Sequence, residues 1–194
     1  MFAWQNKKEP IIVPTGAKAG ELHTEPCSIK LDSGKYDADC GVLIVPENRA
    51  NPKTRLIALP VTRIRATAEN RAEPIFYLEG GPGMSNMNAK PPAGLLENHD
   101  FVMVGYRGVD GSVKLDCPEV AQAIKGDGVD ALSEQSRAGM SVAMRQCAAR
   151  LQADGVDLDG YTILDVIGDM EAARSALGYE RINLFSVSYG TRVA

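Results

Sequence analysis

Ile182-Asn183-Leu184-Phe185-Ser186-Val187-Ser188-Tyr189-Gly190-Thr191 is the stretch on which the reading of this chain turns. An apolar run of strand length delivers the backbone to a serine with a small residue two positions away on each side. A strand that bends abruptly into a helix at such a serine lifts the hydroxyl clear of the sheet, where a substrate can reach it. The flanking residues must be small because the strand and helix backbones approach closely there. Gly190 meets that demand outright. Ser186 adds a hydroxymethyl where glycine is the commoner choice. The plainer alternative is that Ser188 caps the helix that follows.

A second motif lies upstream. Pro74 to Leu78 is a tight apolar and aromatic run, cut off by Gly80-Gly81-Pro82-Gly83. Acyl transfer builds negative charge on an oxygen, and backbone N–H groups aimed from two directions stabilise it. One direction belongs to the residue after the serine, Tyr189, and the other to a glycine loop after an early strand. Glycine lets that loop approach a substrate without a Cβ in the way. A phosphate cradle is a poor fit, since no lysine follows at the required spacing and Pro82 has no N–H to offer.

The rest of the chain is organised around these turns. Residues 1 to about 35 are rich in Pro, Gly, Lys and Thr and predict an irregular lead-in. Strands are expected at Cys40 to Val45, at Arg55 to Arg65 (on an edge or at a bulge, because of Pro60), at Pro74 to Leu78, at Phe101 to Tyr106 and at Ile182 to Val187. Helical spacing runs from Ser133 to Leu151. A second helix is capped by Thr162 with Asp165, and Ile163, Val166, Ile167, Met170, Ala173 and Leu177 mark one face up to Gly178. Strands alternating with helices in the second half predict an α/β chain whose sheet is mostly parallel and flanked by helices.

Composition narrows the function classes. Of 194 residues, 44% are hydrophobic and 24% charged, which suits a globular chain and excludes disorder. The net charge of −4 offers no electrostatic footprint for nucleic acid. No apolar run approaches the roughly 18 residues that a membrane span needs. The N-terminus does not read as a signal peptide, because only Ile11, Ile12 and Val13 follow Lys7 and Lys8 before Pro14.

Cys27, Cys40, Cys117 and Cys147 allow three pairings. Cys27 with Cys40 and Cys117 with Cys147 would close two local loops; four reduced, half-buried thiols are the alternative. No C-x-x-C pair is present, and His23 and His99 are not spaced as ligands beside the cysteines, so a zinc site is not expected. Asp154, Asp157 and Asp159, beside Gly155 and Gly160, do not meet EF-hand spacing and read as a solvated loop. Met84 and Met87, after the glycine loop, suit either a substrate pocket or the core.

Glu79-Gly80-Gly81-Pro82-Gly83, then Arg107-Gly108-x-x-Gly111-Ser112, then Leu177-Gly178-Tyr179 leading to Ser188-Tyr189-Gly190-Thr191, together resemble the α/β-hydrolase fold. Within it they are most similar to the proline iminopeptidase and tripeptidyl aminopeptidase group of serine peptidases. The resemblance covers roughly residues 36 to 194. It implies Ser188 as nucleophile and the backbone N–H groups of Gly81 and Tyr189 as an oxyanion hole, with Gly80, Pro82, Gly83, Ser186, Gly190 and Arg107 supporting the motifs. It also favours paired cysteines and a secreted or periplasmic location. Glu79 departs from the histidine, and Ser186 from the glycine, found in many members.

In this fold the acid and the histidine of the triad follow the serine in the chain. Neither follows Ser188 here, and His23 and His99 read as surface residues. Residues 36 to 194 are therefore expected to be the N-terminal half of a hydrolase domain, inactive and prone to association by itself. The expected function is a serine hydrolase acting through an acyl-enzyme, an aminopeptidase on small peptides, a reading that implies no metal or organic cofactor. An esterase using the same machinery, or a non-catalytic binding module on the same scaffold, are the alternatives.

Overall fold

Short β-branched and aromatic runs separated by Pro, Gly and Asn turns form the centre of the structure, a computed structural model that describes residues 11–31, 34–92, 94–124 and 133–194. Lys7 and Lys8 lie outside the described residues. Among the described residues, six strands, β1 (Leu22–Leu31), β2 (Gly34–Pro46), β3 (Leu56–Ile64), β4 (Ala72–Leu78), β5 (His99–Val104) and β6 (Asn183–Ser186), make one sheet in the order β1-β2-β3-β5-β4-β6. The described residues also form five α-helices: α1 (Leu95–Asn98), α2 (Pro118–Ile124), α3 (Glu134–Ala153), α4 (Ile163–Ala176) and α5 (Gly190–Val193). The chain divides into two compact units, residues 1–114 with 160–194, and residues 115–159.

The class is α/β, but the sheet is mixed rather than mostly parallel. β1 with β2, β2 with β3 and β3 with β5 pair antiparallel, whereas β4 pairs parallel with both β5 and β6. Short connections favour antiparallel neighbours and long crossovers permit parallel ones. Only the chain after β4 carries such crossovers, so the alternation seen in the second half does not extend to the first. The lead-in reading also needs correction, because Leu22–Leu31 pairs with β2 along its whole length. As an edge strand it exposes most of its side chains and tolerates Pro26, so its composition looks like that of a loop.

Pro60 is likewise not on an edge. It pairs with Val42 inside β3, and its carbonyl accepts the Gly105 N–H at 2.8 Å. Its missing donor therefore faces the β5 side opposite Gly105, just beyond the last registered pair, Val61 with Val104, so it falls at the end of that ladder. Pro74 sits where the register between β4 and β5 shifts.

Alternation along the central strands fills both faces. Leu43, Val45, Leu59, Phe76, Val102 and Val104 pack with Val166, Met170, Ala173 and Val193 on one side. Ile64, Ile75, Tyr77, Phe101 and Met103 pack with Ala89 and Leu96 on the other. Helix α4 has the expected capping box, with Thr162 Oγ1 accepting the Asp165 N–H and the Asp165 carboxylate accepting from Thr162. Its buried face differs from the expected one: Ile167 is 41% exposed, while Asp165 and Asp169 are buried.

Cys27–Cys40 is a disulfide between β1 and β2. Cys117–Cys147 is a disulfide joining the chain before α2 to α3 within residues 115–159, where Arg150 also pairs with Glu119 at 2.7 Å. Among the described residues no helix is long and apolar enough to cross a membrane, and no three His, Cys, Asp or Glu side chains cluster as metal ligands.

Candidate functional site

The parallel strands β4 and β6 end side by side, Leu78 opposite Ser186, and the Val187 N–H still donates to the Leu78 carbonyl at 3.0 Å. The next residue leaves the sheet. Ser188 has φ +48°, the left-handed region, and among the described residues it is the one non-glycine there. Such a conformation costs on the order of 1–3 kcal/mol and needs surrounding structure to hold it. The Gly190 N–H donates to Val187 O at 2.8 Å and the Thr191 N–H to Ser188 O at 3.0 Å, which starts α5 at once. Ser188 itself is exposed.

Two glycines make this turn possible. A Cβ on Gly190 would lie 2.2 Å from the Leu78 carbonyl oxygen, and one on Gly80 would lie 2.9 Å from Ser188 Cβ. The close approach demanded by the motif is therefore between α5 and the end of β4. Ser186, half-buried as the last residue of β6, is accommodated with its hydroxymethyl.

The glycine loop leaves β4 directly beside Ser188. Gly81 and Gly83 have φ +64° and +88°, values that side-chain-bearing residues resist. Pro82 and Gly83 are exposed. The Met84 N–H donates to Gly81 O at 2.9 Å and closes the loop. The two methionines part company: Met84 is 59% exposed over Gly81, whereas Met87 packs on the core. Among the described residues neither the Gly81 N–H nor the Tyr189 N–H donates to a backbone carbonyl.

Groups that the sequence reading missed hold this loop. Asn86 is fully buried; its amide donates to Tyr77 O at 3.0 Å and Val104 O at 2.7 Å, and its Oδ1 accepts the Glu79 N–H at 2.7 Å. Asp110 Oδ2 accepts the N–H groups of Asn86 and Tyr106, each at 2.9 Å. Glu79 receives the Tyr77 hydroxyl on Oε2 at 2.8 Å and the Gly80 N–H on Oε1 at 2.6 Å, and its carbonyl accepts the Tyr106 hydroxyl at 3.1 Å. Burial, then the hydrogen bond to Glu79, push the Tyr77 phenol up to about 12. Burial also raises Tyr106, reinforced by the nearby Tyr189 and Glu79. Both hydroxyls stay protonated donors at any working pH. These partners are separated by up to 27 residues in the chain, so no local spacing announces them.

Arg107 is buried rather than at the surface of the site. Its Nε and one terminal nitrogen form a two-pronged pair with Asp169, each at 2.7 Å, and the other donates to Glu47 O at 2.6 Å and to Gly160 O. Arg49 pairs with the same Asp169 at 2.7 Å. Glu47, also buried, accepts Arg55 at 2.7 and 2.8 Å and the Tyr161 hydroxyl at 2.8 Å. Arg107 thereby ties the chain after β5 to α4 and to the end of β2. Ser112 closes the same segment on β3, its Oγ accepting the Ala58 N–H at 2.9 Å.

Neither histidine reaches Ser188. His99 opposes Ala72, at the other end of β4 from Leu78, so six residues of strand separate it from the turn, roughly 20 Å at the usual rise. Its Nδ1 lies 2.7 Å from Glu73 O. His23 is on β1, at the opposite edge of the sheet, exposed and 3.5 Å from Glu21.

No family model matches the chain. It is 29% identical to tripeptidyl aminopeptidases of Streptomyces lividans and of Streptomyces coelicolor, in alignments that cover 93% of this chain and 36% of each relative. The chain thus spans just over a third of the length of these curated relatives. At this identity the similarity supports kinship with a peptidase family.

Proposed function

We propose that this chain carries the nucleophile-bearing part of a serine hydrolase of α/β-hydrolase fold, acting as an aminopeptidase on small peptides. The observation that carries the reading is Ser188: exposed, at φ +48°, on the turn between β6 and α5, against the glycine loop after β4. The peptidase class draws on the similarity to the two tripeptidyl aminopeptidases.

Ser188 Oγ attacks the substrate carbonyl carbon as a general base takes its proton. The N–H groups of Gly81 and Tyr189 receive the oxyanion, the amine leaves with a proton, and water then hydrolyses the acyl-enzyme. His23 and His99 lie remote from Ser188, so neither is this base. The disulfides support the expected secreted or periplasmic location.

Fluorophosphonate labelling of the full-length protein tests this. Label on Ser188 that is lost in Ser188→Ala is the expected result. Labelling elsewhere overturns the assignment of Ser188 as nucleophile, and no labelling leaves a binding module as the better reading. Comparing hydrolysis of aminoacyl or peptidyl amides with that of short acyl esters separates the peptidase from an esterase built on the same turn.

A further inference from the structure

We infer that Glu79 is a positioning residue that locks the Gly80–Gly81 turn against Ser188. The inference rests on the serine-hydrolase reading above and adds to it a residue of this chain's own.

Glu79 is held on every side. Its N–H is fixed by Asn86, its carbonyl by the Tyr106 hydroxyl, and its Oε2 by the Tyr77 hydroxyl. Only Oε1 remains, and it accepts the N–H of the next residue, Gly80, at 2.6 Å. A bond to an ionised acceptor is roughly twice as strong as a neutral one, so this contact sets the direction in which the chain leaves β4. Gly80 is the residue packed on Ser188, a Cβ there lying 2.9 Å from Ser188 Cβ and 3.1 Å from Val187 O.

Two consequences follow for the chemistry. With the Gly80 N–H engaged by the carboxylate, the Gly81 N–H is the donor this turn leaves for a substrate oxygen. That N–H lies in the peptide plane between Gly80 and Gly81, so its direction follows from how the Gly80 backbone is held. The Tyr77 hydroxyl, kept protonated by burial and by Glu79 itself, prevents the carboxylate from rotating off Gly80.

The test uses the full-length protein with kcat and KM measured on one peptidyl amide or acyl ester, alongside the rate of fluorophosphonate labelling. Glu79→Ala is expected to lower kcat and the labelling rate about 10–100-fold, with KM changed less than about threefold, the signature of a displaced oxyanion donor. Glu79→Gln keeps an oxygen for the Gly80 N–H, and the Tyr77 hydroxyl can accept from the amide, so kcat is expected to stay within about threefold of the parent. A Glu79→Ala enzyme within about twofold of the parent in kcat overturns the inference, as does a Glu79→Gln enzyme as slow as Glu79→Ala. Should Glu79→Ala fail to fold, Tyr77→Phe decides: a several-fold fall in kcat supports the inference and an unchanged kcat overturns it. A parent enzyme unlabelled at Ser188 defeats the serine reading and this inference together. A labelled parent with an unaffected Glu79→Ala variant defeats the inference alone.

Discussion

The Arg107 guanidinium and the Asp169 carboxylate are each 1% exposed. Two charges so far from water persist only because every donor and acceptor is met, here by Asp169, Arg49, Glu47 O, Pro46 O and Gly160 O. Truncating one partner strands the other. Arg107→Ala is therefore expected to destabilise the folded protein by about 3–5 kcal/mol in urea unfolding, and Arg107→Lys, which lacks the planar fork, to recover only part of it. A loss below about 1 kcal/mol for Arg107→Ala contradicts the account, since that is the worth of an exposed pair. Ser188 shows the same logic applied to the backbone. Its unfavourable φ is tolerated because Gly80 and Gly190, lacking a Cβ, let the turn pack closely against the end of β4.

Among the elements, β2 and β3 are joined by more than their ladder. Asp39 on β2 accepts Arg63 at 2.8 Å and Arg65 at 3.0 Å from the Nε of each, with further contacts to their terminal nitrogens. Burial alone would raise the Asp39 pKa, but the hydrogen bonds from Arg65 and Arg63 outweigh it and hold the carboxyl below its ordinary value. A folded-state pKa below the unfolded one adds stability that is complete above the ordinary carboxylate value of about 4 and is lost as pH falls through the lowered value. Thermal melts between neutral pH and about pH 2 should show the parent losing stability in that window more steeply than Asp39→Asn. Parallel acid limbs for the two proteins exclude this role. At neutral pH the variant should already melt lower, since both arginines lose their charged partner.

At the scale of the whole molecule, the sheet has a working edge at β6. Leu184, Phe185 and Val187 are 46%, 38% and 42% exposed there, and Leu164 on α4 is 77% exposed. An apolar edge strand with unmet backbone groups invites pairing with another chain. Residues 1–194 produced by themselves are expected to associate, with a mass by light scattering that rises with concentration, and Leu184→Lys on the edge to reduce it. A monomer with one sharp melt at every concentration contradicts the expectation.

Local chemistry wrote several features into the sequence in readable form. The bend at Ser188 follows from an apolar run meeting Ser-Tyr-Gly, the loop after β4 from Gly-Gly-Pro-Gly, and the α4 cap from Thr162 and Asp165, because each depends on neighbours within a few residues. Tertiary structure alone decided the rest. β1 is a strand because β2 lies beside it, not because of its polar composition. Ile167 faces outward and Asp165 and Asp169 inward because Arg107 and Arg49 arrive from distant segments. Glu79, Asn86 and Asp110 converge on the glycine loop through bonds between the ends of β4 and β5 and the segments that follow them. Hydrophobic periodicity reports burial of apolar groups, whereas these residues are buried through partners far away in the chain, and only folding brings such partners together.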